Sequence, residues 1–354
     1  MCRSLLAAHH PGGERSPAGL WTALAEAGVL GLAIGEEFGG SGGTLTDLGI
    51  VCLEAGRALC PNAVHSTLHA GLAVDWLGGP GARAAWLPVL TSGASRATTA
   101  LSNPRDASVL GSAVRGAEDG DTRWRLSGAA DFVADADVVD LIVVAAETDC
   151  GLGVFVVDLA ATGVTVDPLP MAGGHRACTV RFDDVQVSDD TNVLDASVCP
   201  DALRRVTNAA VALQCLDLVG VGEAVVQRTV GHTTMREQFG RPIASFQAAQ
   251  HLVANMRIAL SAARLTAQSA VFWIGRGHSA TRETAIARMH AAAVKRITLD
   301  AHQLHGGIGY VVDTDLHQFS ERARVLSTWG GGADVAAKWL EDEMIWRGDD
   351  GKSD

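Results

Sequence analysis

The chain has 354 residues, 47% of them hydrophobic and 19% charged, which is long for one core and leaves enough apolar surface for two or three packed units. Its 28 Lys and Arg stand against 40 Asp and Glu, a net charge of -12, and this excludes the basic footprint of a nucleic-acid binder. A small anion remains admissible, because a local arginine cluster or a helix N-terminus holds one whatever the total charge.

The opening segment, MCRSLLAAHHPGGERSP, lacks the long apolar stretch of a signal peptide, and no apolar run approaches the ~20 residues of a membrane helix. The cysteines Cys2, Cys52, Cys60, Cys150, Cys178, Cys199 and Cys215 are odd in number, widely spread and without Cys-x-x-Cys spacing, so reduced, mostly buried thiols are expected. These features predict a soluble, cytoplasmic protein with no membrane partner.

From about Leu20 to Leu90 apolar residues recur at helical spacing, as in LWTALAEAGVLGL and LGIVCLEAGRAL, with Gly-rich breaks such as FGGSGG. A helical first domain over residues 1–95 is predicted. The texture then changes: DLIVVAAETDCGLGVFVVDL places two β-branched runs around a turn, and TVRFDDVQV alternates apolar and polar residues. A β domain over 96–195 is the expectation. Helical spacing returns by Pro200, and in SFQAAQHLVANMRIALSAARLTAQSAVFW the residues Phe246, Ala249, Leu252, Val253, Met256, Leu260 and Ala263 share one face. The region 196–354 therefore reads as a helical bundle, and the whole as an α+β multidomain chain.

Two segments could hold an anionic cofactor. In REQFGRPIASFQAAQH, Arg236 and Arg241 bracket an aromatic, and an arginine fork suits a phosphate or pyrophosphate; a solvated helix start with a Gly240–Pro242 turn reads equally from the residues alone. In QLHGGIGY, Gln303 donates and accepts, and Gly306, Gly307 and Gly309 permit close backbone approach; the run follows a helix, so it is not the dinucleotide fingerprint. His65 with His69, and His302 with His305, sit a turn or less apart but lack a third ligand, so no metal is expected. Neither a Gly-x-Ser-x-Gly elbow nor a phosphate-binding Walker loop occurs.

Taken together, LAEAGVLGLAIGEEFGGSGG, LEAGRAL, WLPVLTSG, ALSNP, FDDVQV, REQFGRPIASFQAAQHLVANM and QLHGGIGY, in this order over nearly the whole length, give a chain that resembles the acyl-CoA dehydrogenases. The resemblance implies an N-terminal α-helical domain, a middle β-barrel domain, a C-terminal four-helix bundle, and FAD at a subunit interface. It also implies the reaction: hydride transfer to flavin from the β-carbon of an acyl-CoA thioester while a carboxylate removes the α-proton, with electrons passed on to an acceptor.

The family's base is a Glu in a Tyr-Glu-Gly-Thr-type segment; here, in STWGGGADV, Gly330 falls on it. A second family position, on the helix before the Arg-x-x-Phe-Gly motif, falls on Ala210. No Glu occurs between Val185 and Gly222, and Asp217 is the carboxylate nearest Ala210, about two turns away. No catalytic residue is therefore assigned. The chain's own flavin side also departs from the pattern: Ser102, Asn103 and Pro104 with Ala107, Ser108 and Val109 replace the Thr-Glu-Pro and Gly-Ser-Asp segments, Phe132 and Ala134 replace a Trp and a Ser/Thr, and Gly332 and Asp334 replace a Thr and a Gln. By contrast, the residues this family lends to a neighbour's FAD are kept: Arg236, Gln238 and Phe239, and Gln303, Gly306 and Gly307.

This asymmetry resembles the Glu-lacking subunit of actinobacterial heteromeric (α2β2) enzymes acting on bulky thioesters such as sterol side chains. It implies FAD shared with a homologous partner subunit that bears the catalytic Glu, and an isolated chain without activity. A self-sufficient flavoenzyme of the same fold, dehydrogenase or oxygenase, and a flavin-free scaffold or acyl-CoA binding subunit remain as alternatives.

Overall fold

A computed structural model describes residues 2–7, 17–120 and 123–349. Residues 8–16 of the opening segment and the side chain of Cys2 lie outside it. The N-terminal part is helical: α1 (Cys2–Ala7), α2 (Pro17–Glu26), α3 (Leu45–Arg57), α4 (Asn62–Leu77) and α5 (Pro80–Thr91). A capping box starts α3, the Thr44 hydroxyl accepting from the Asp47 amide and the Asp47 carboxylate from the Thr44 amide.

Strands follow: β1 (Ala97–Ala100), β2 (Ser102–Asn103), β3 (Asp106–Leu110), β4 (Ala113–Glu118), β5 (Arg123–Ala134), β6 (Leu141–Thr148), β7 (Gly151–Asp158), β8 (Val164–Leu169) and β9 (Ala177–Ser188), then a helical turn α6 (Asp189–Asn192) and β10 (Val193–Asp195). They form a mixed sheet in the order β10-β7-β6-β4-β5-β9-β8, with β1 parallel to β6 beside it, while β2 and β3 make a separate ribbon. The runs LIVVAA and VFVV pair antiparallel, Leu141 opposite Asp158 and Thr148 opposite Gly151. They are apolar throughout because both faces are covered. Val143, Ala145, Val154 and Val156 pack toward the helices, and Ile142, Val144, Phe155 and Val157 into the sheet's own core.

The C-terminal part contains α7 (Pro200–Met235), a small hairpin of β11 (Glu237–Gln238) and β12 (Arg241–Pro242), then α8 (Gln247–Gly275), α9 (Thr281–Ala291), α10 (Val294–His305), α11 (Leu316–Leu326) and α12 (Ala333–Asp349). Helix α7 is long and apolar enough to cross a bilayer, which corrects the expectation that no run approaches that length; 89% of its apolar window is buried inside the protein. It is the central core helix, apolar all round because it is covered all round. Its backbone meets α3 directly: a Cβ at Gly56 would lie 2.0 Å from the Asp217 carbonyl oxygen, and one at Gly220 1.9 Å from that of Leu53. Only glycine fits these two crossing points.

On α8, Ala249, Met256, Leu260 and Ala263 are buried, Leu252 and Val253 partly so, and Phe246 precedes the helix. The sequence stripe thus holds, but Ile258, Leu265 and Phe272 form a second, exposed apolar row. Among the described cysteines, Cys52, Cys60, Cys178 and Cys215 are buried and Cys150 and Cys199 exposed.

Candidate functional site

A cavity of ≈ 600 Å³ lies where α4, β1 to β3, β5 and α7 converge, closed by Trp329 and Gly330. The two positions read for a base, Ala210 on α7 and Gly330, both line it, as do Ser102, Phe132 and Ala134. Asp131 is the one carboxylate among the described lining residues, and its Oδ1 already accepts the Thr179 hydroxyl at 2.7 Å.

The Gly330 segment is held by its surroundings. Gly330 N–H donates to Pro104 O at 2.7 Å, and Ala107 N–H donates to Gly330 O at 2.9 Å. Behind it, the buried Arg288 donates to Gly331 O at 2.8 Å, to Trp329 O at 2.5 Å and to Gln214 Oε1 at 3.1 Å. Gly330 has φ +75, while a Cβ there would meet Ala107 Cβ at 3.5 Å and Val211 Cγ2 at 3.9 Å. The space would admit a side chain; the backbone conformation disfavours one.

Ser108, whose hydroxyl survives in the sequence, donates it to Asp106 Oδ1 at 2.6 Å. The same oxygen accepts Trp339 Nε1–H at 2.8 Å, which pins α12 to this ribbon. Ser102 lines the cavity and Ser108 does not. Asp217, the fallback carboxylate, is fully buried and outside the cavity lining. Its two oxygens take Arg322 Nε–H at 2.8 Å and Nη2–H at 2.5 Å, so it presents nothing to a substrate.

The histidines separate by partner. His69 Nε2 lies 3.1 Å from Val206 O and Nδ1 2.9 Å from Thr99 Oγ1. A carbonyl only accepts, so Nε2 carries the proton and the Thr99 hydroxyl donates to Nδ1. Burial pushes the His69 imidazole down to about 4 and lowers that of His65. His302 Nε2 meets Ser320 Oγ at 2.5 Å, and His305 Nδ1 meets Ala301 O at 2.8 Å. Among the described residues no group of three or more His, Cys, Asp or Glu gathers as a metal site.

The remaining sequence-predicted residues lie elsewhere. Arg236, Gln238 and Phe239 surround the β11–β12 turn, Gln303 ends α10, and Gly306 and Gly307 follow; all six are exposed and none lines the cavity. Phe239 and Gly240 occupy the two turn positions with φ 53 and 77. A two-residue hairpin of this kind demands left-handed backbone at both, a strained state for phenylalanine. The Phe239 ring is 94% exposed, touching Phe246 edge-on at 6.2 Å. A Cβ at Gly306 or Gly307 would meet nothing within 4 Å, so this backbone is bare to an incoming group. Met235, Tyr310 and Val312, 80%, 73% and 78% exposed, flank these positions.

The two sets differ in what they offer a flavin dinucleotide. Among the described residues of the cavity wall the one Lys or Arg is Arg105, exposed and stacked over Phe132 at 5.6 Å, with Asp106 close by in sequence, a poor cradle for a pyrophosphate. The outer set carries a guanidinium, two amide side chains, an aromatic face and open glycine backbone, all on the exposed surface. Sequence reading missed Arg288, although a lone cation in AIARMHAAA was its signal, and missed Asp106 as the partner of Ser108 and Trp339.

Family models match at both ends: the N-terminal domain of acyl-CoA dehydrogenases over residues 5–94 and the C-terminal domain over 203–344. A curated relative, acyl-CoA dehydrogenase IpdE2 of Mycobacterium tuberculosis, is 31% identical, the match covering 86% of this chain and 80% of the relative. Among solved structures, the Tcur3481-Tcur3483 steroid ACAD superposes with TM-score 0.86 at 29% identity, covering 98% of this chain and 96% of that one. The ChsE4-ChsE5 complex of Mycobacterium tuberculosis gives 0.85 at 27%, covering 97% and 91%.

Proposed function

Because the chain belongs to the acyl-CoA dehydrogenase family, FAD-dependent oxidoreductases, we propose that it is the base-less subunit of a heteromeric member, completing the FAD site of a homologous partner. One observation carries this reading. Ala210 and Gly330, the positions read for a base, line the cavity, whereas Arg236, Gln238, Phe239, Gln303, Gly306 and Gly307 are all exposed.

Family chemistry pairs α-proton removal by a carboxylate with hydride uptake by FAD, and in this reading the partner supplies the carboxylate. Arg236 would offer a cation to the cofactor's pyrophosphate, Gln303 would add an amide that donates and accepts, and Gly306 and Gly307 would admit close approach of backbone amides. Phe239, held in a strained turn, presents a flat apolar face. The two-protein neighbours support the assembly, and the steroid enzyme among them supports a bulky CoA thioester as the substrate class.

The test is the FAD-to-chain ratio, for the chain purified alone and then with an acyl-CoA dehydrogenase subunit that carries the catalytic Glu. No FAD alone and about one per pair is expected. One FAD per chain in the absence of a partner would replace this reading with a self-sufficient flavoenzyme.

A further inference from the structure

Arg288 is an unusual charge to find behind this cavity. It is fully buried, and its guanidinium is shared among three neutral oxygens, those of Gly331, Trp329 and the Gln214 side chain. Its other polar neighbour, the Cys215 thiol, is pushed up to about 11 by burial and so adds no anion at pH 7. Among the described residues no carboxylate pairs with it. A buried cation without a counter-ion is costly, and an anion brought near it would relieve that cost.

Gln214 connects this charge to the cavity. A guanidinium only donates, so the oxygen of the Gln214 amide faces Arg288 Nη1 at 3.1 Å and its Nε2 points away. Gln214 lines the cavity. Among the described residues nothing accepts from Nε2, and this nitrogen is not closed off as a buried orphan. Two N–H donors, polarised by the cation behind the amide, are therefore open to a ligand. Gln214 stands one helical turn beyond Ala210, about 6 Å by rise, and Arg288 ties it to the two carbonyls that flank Gly330. The donors thus lie at the end of the cavity where both base positions lie.

Other charges do not reverse this sign. Arg105 and Asp131, the charged residues of the described lining, are both exposed and opposite to each other. Asp217, three residues beyond Gln214, is neutralised by two hydrogen bonds from Arg322. Asp135 accepts from Asn62 and Ser66, and burial raises its carboxyl. The remaining lining is largely apolar, with Ala100, Leu101, Val133 and Val211 among it, and the volume of ≈ 600 Å³ is that of a small-molecule site.

We propose that the Gln214 end of the cavity seats the carboxylate of a ligand, a free monocarboxylic acid with an alicyclic or aliphatic body, and that this carboxylate takes the place of the side-chain carboxylate missing at Ala210 and Gly330. Gln214 donates to the anion, with the Arg288 charge behind it, and the body lies against the apolar wall. The inference rests on the reading above only in that no flavin fills the cavity.

The experiment titrates the whole chain calorimetrically with 4-cyclohexylcyclohexanecarboxylate, its carboxamide and its primary alcohol, with FAD content read on the same sample. The carboxylate should bind about tenfold or more tighter than either neutral probe, the margin of a charge-assisted over a neutral hydrogen bond. Gln214→Leu should erase that preference. Gln214→Glu keeps an oxygen for Arg288, so it guards against a mere folding defect; it should bind the carboxylate worst and still take the alcohol. Arg105→Gln should leave the preference intact, and its loss there would put the anion at the exposed rim and overturn the proposal. Equal binding of the three probes, binding of none, or a carboxylate preference that survives either Gln214 variant overturns it as well. Stoichiometric FAD in the isolated chain would instead overturn the subunit reading, so the two failures read differently.

Discussion

The Gly330 carbonyl accepts the Ala107 amide at 2.9 Å, so the Gly330 segment is stitched to the β2–β3 ribbon. The absence of a carboxylate is thus set within an ordered loop, closed on its other side by Arg288.

If Arg236 and Gln303 serve a cofactor held by another chain, their removal leaves this chain's stability alone. Arg236→Ala and Gln303→Ala should each shift its unfolding free energy by no more than about 0.5 kcal/mol, as for exposed side chains in general. In the co-purified pair, Arg236→Ala should weaken FAD retention about tenfold or more, since hydrogen bonds to charged groups are worth about 1.5–3 kcal/mol. Cofactor release on dilution, followed by flavin fluorescence, measures it; unchanged retention in both variants would remove the lending role.

Restoring a carboxylate should not restore an enzyme. Ala210→Glu places the group on regular helix facing the cavity, yet on the proposed reading, in which flavin is held only together with the partner, the isolated chain should still give no dehydrogenation of acyl-CoA with a dye acceptor. Gly330→Ala tests the other position: with φ +75 and adequate room for the Cβ, it should cost about 1–2 kcal/mol in urea unfolding from backbone strain.

Arg288 is buried and bound by three neutral oxygens. Arg288→Met should destabilise by roughly 3 kcal/mol or more, because the Trp329 and Gly331 carbonyls and Gln214 lose their donor inside the protein. Arg288→Lys should recover only part of that, as an ammonium lacks the planar fork. Limited proteolysis near Ser327 to Gly332 should speed up in the Met variant; unchanged cleavage and stability would show the clamp to be dispensable.

Acid should destabilise the chain before its carboxylates titrate. His69 stays neutral in the fold down to about pH 4, against an ordinary value of 6.5, so below pH 6.5 the unfolded chain binds the extra proton. Stability is then complete above about pH 6.5 and falls as the pH drops toward 4, by up to roughly 3 kcal/mol from this residue. Asp135, raised by burial, acts in the opposite sense in the acid range. The difference between wild type and His69→Gln isolates the histidine: the variant should show a flatter decline from pH 6.5 to 4.5 in urea midpoints.

Period and punctuation in the sequence were enough for the order of elements. The two β-branched runs became a hairpin in register, and the apolar stripe of α8 became its buried face. Gly330 and Ala210 were placed by motif alone, and both line one cavity. What sequence spacing could not convey were pairings set by the packing of distant segments: Arg322 with Asp217 is 105 residues apart, and Trp339 with Asp106 is 233. Asp217 looked available for chemistry because its partner lies on α11. His65 read as filler because its unpartnered Nε2, 3.9 Å from Asp217 Oδ2, is set by packing of α4 on α7 and not by its neighbours in the chain. The exposed row Ile258, Leu265 and Phe272 was equally hidden, since an apolar residue does not announce which of two faces it takes.

Phe239 stands 94% exposed and Met235, four residues before it, 80%, and exposed apolar side chains of this kind are a liability where nothing covers them. Copies made in excess would meet one another through these side chains and precipitate or be degraded. On the proposed reading, the dosage of this chain would then have to match that of the subunit that covers the patch.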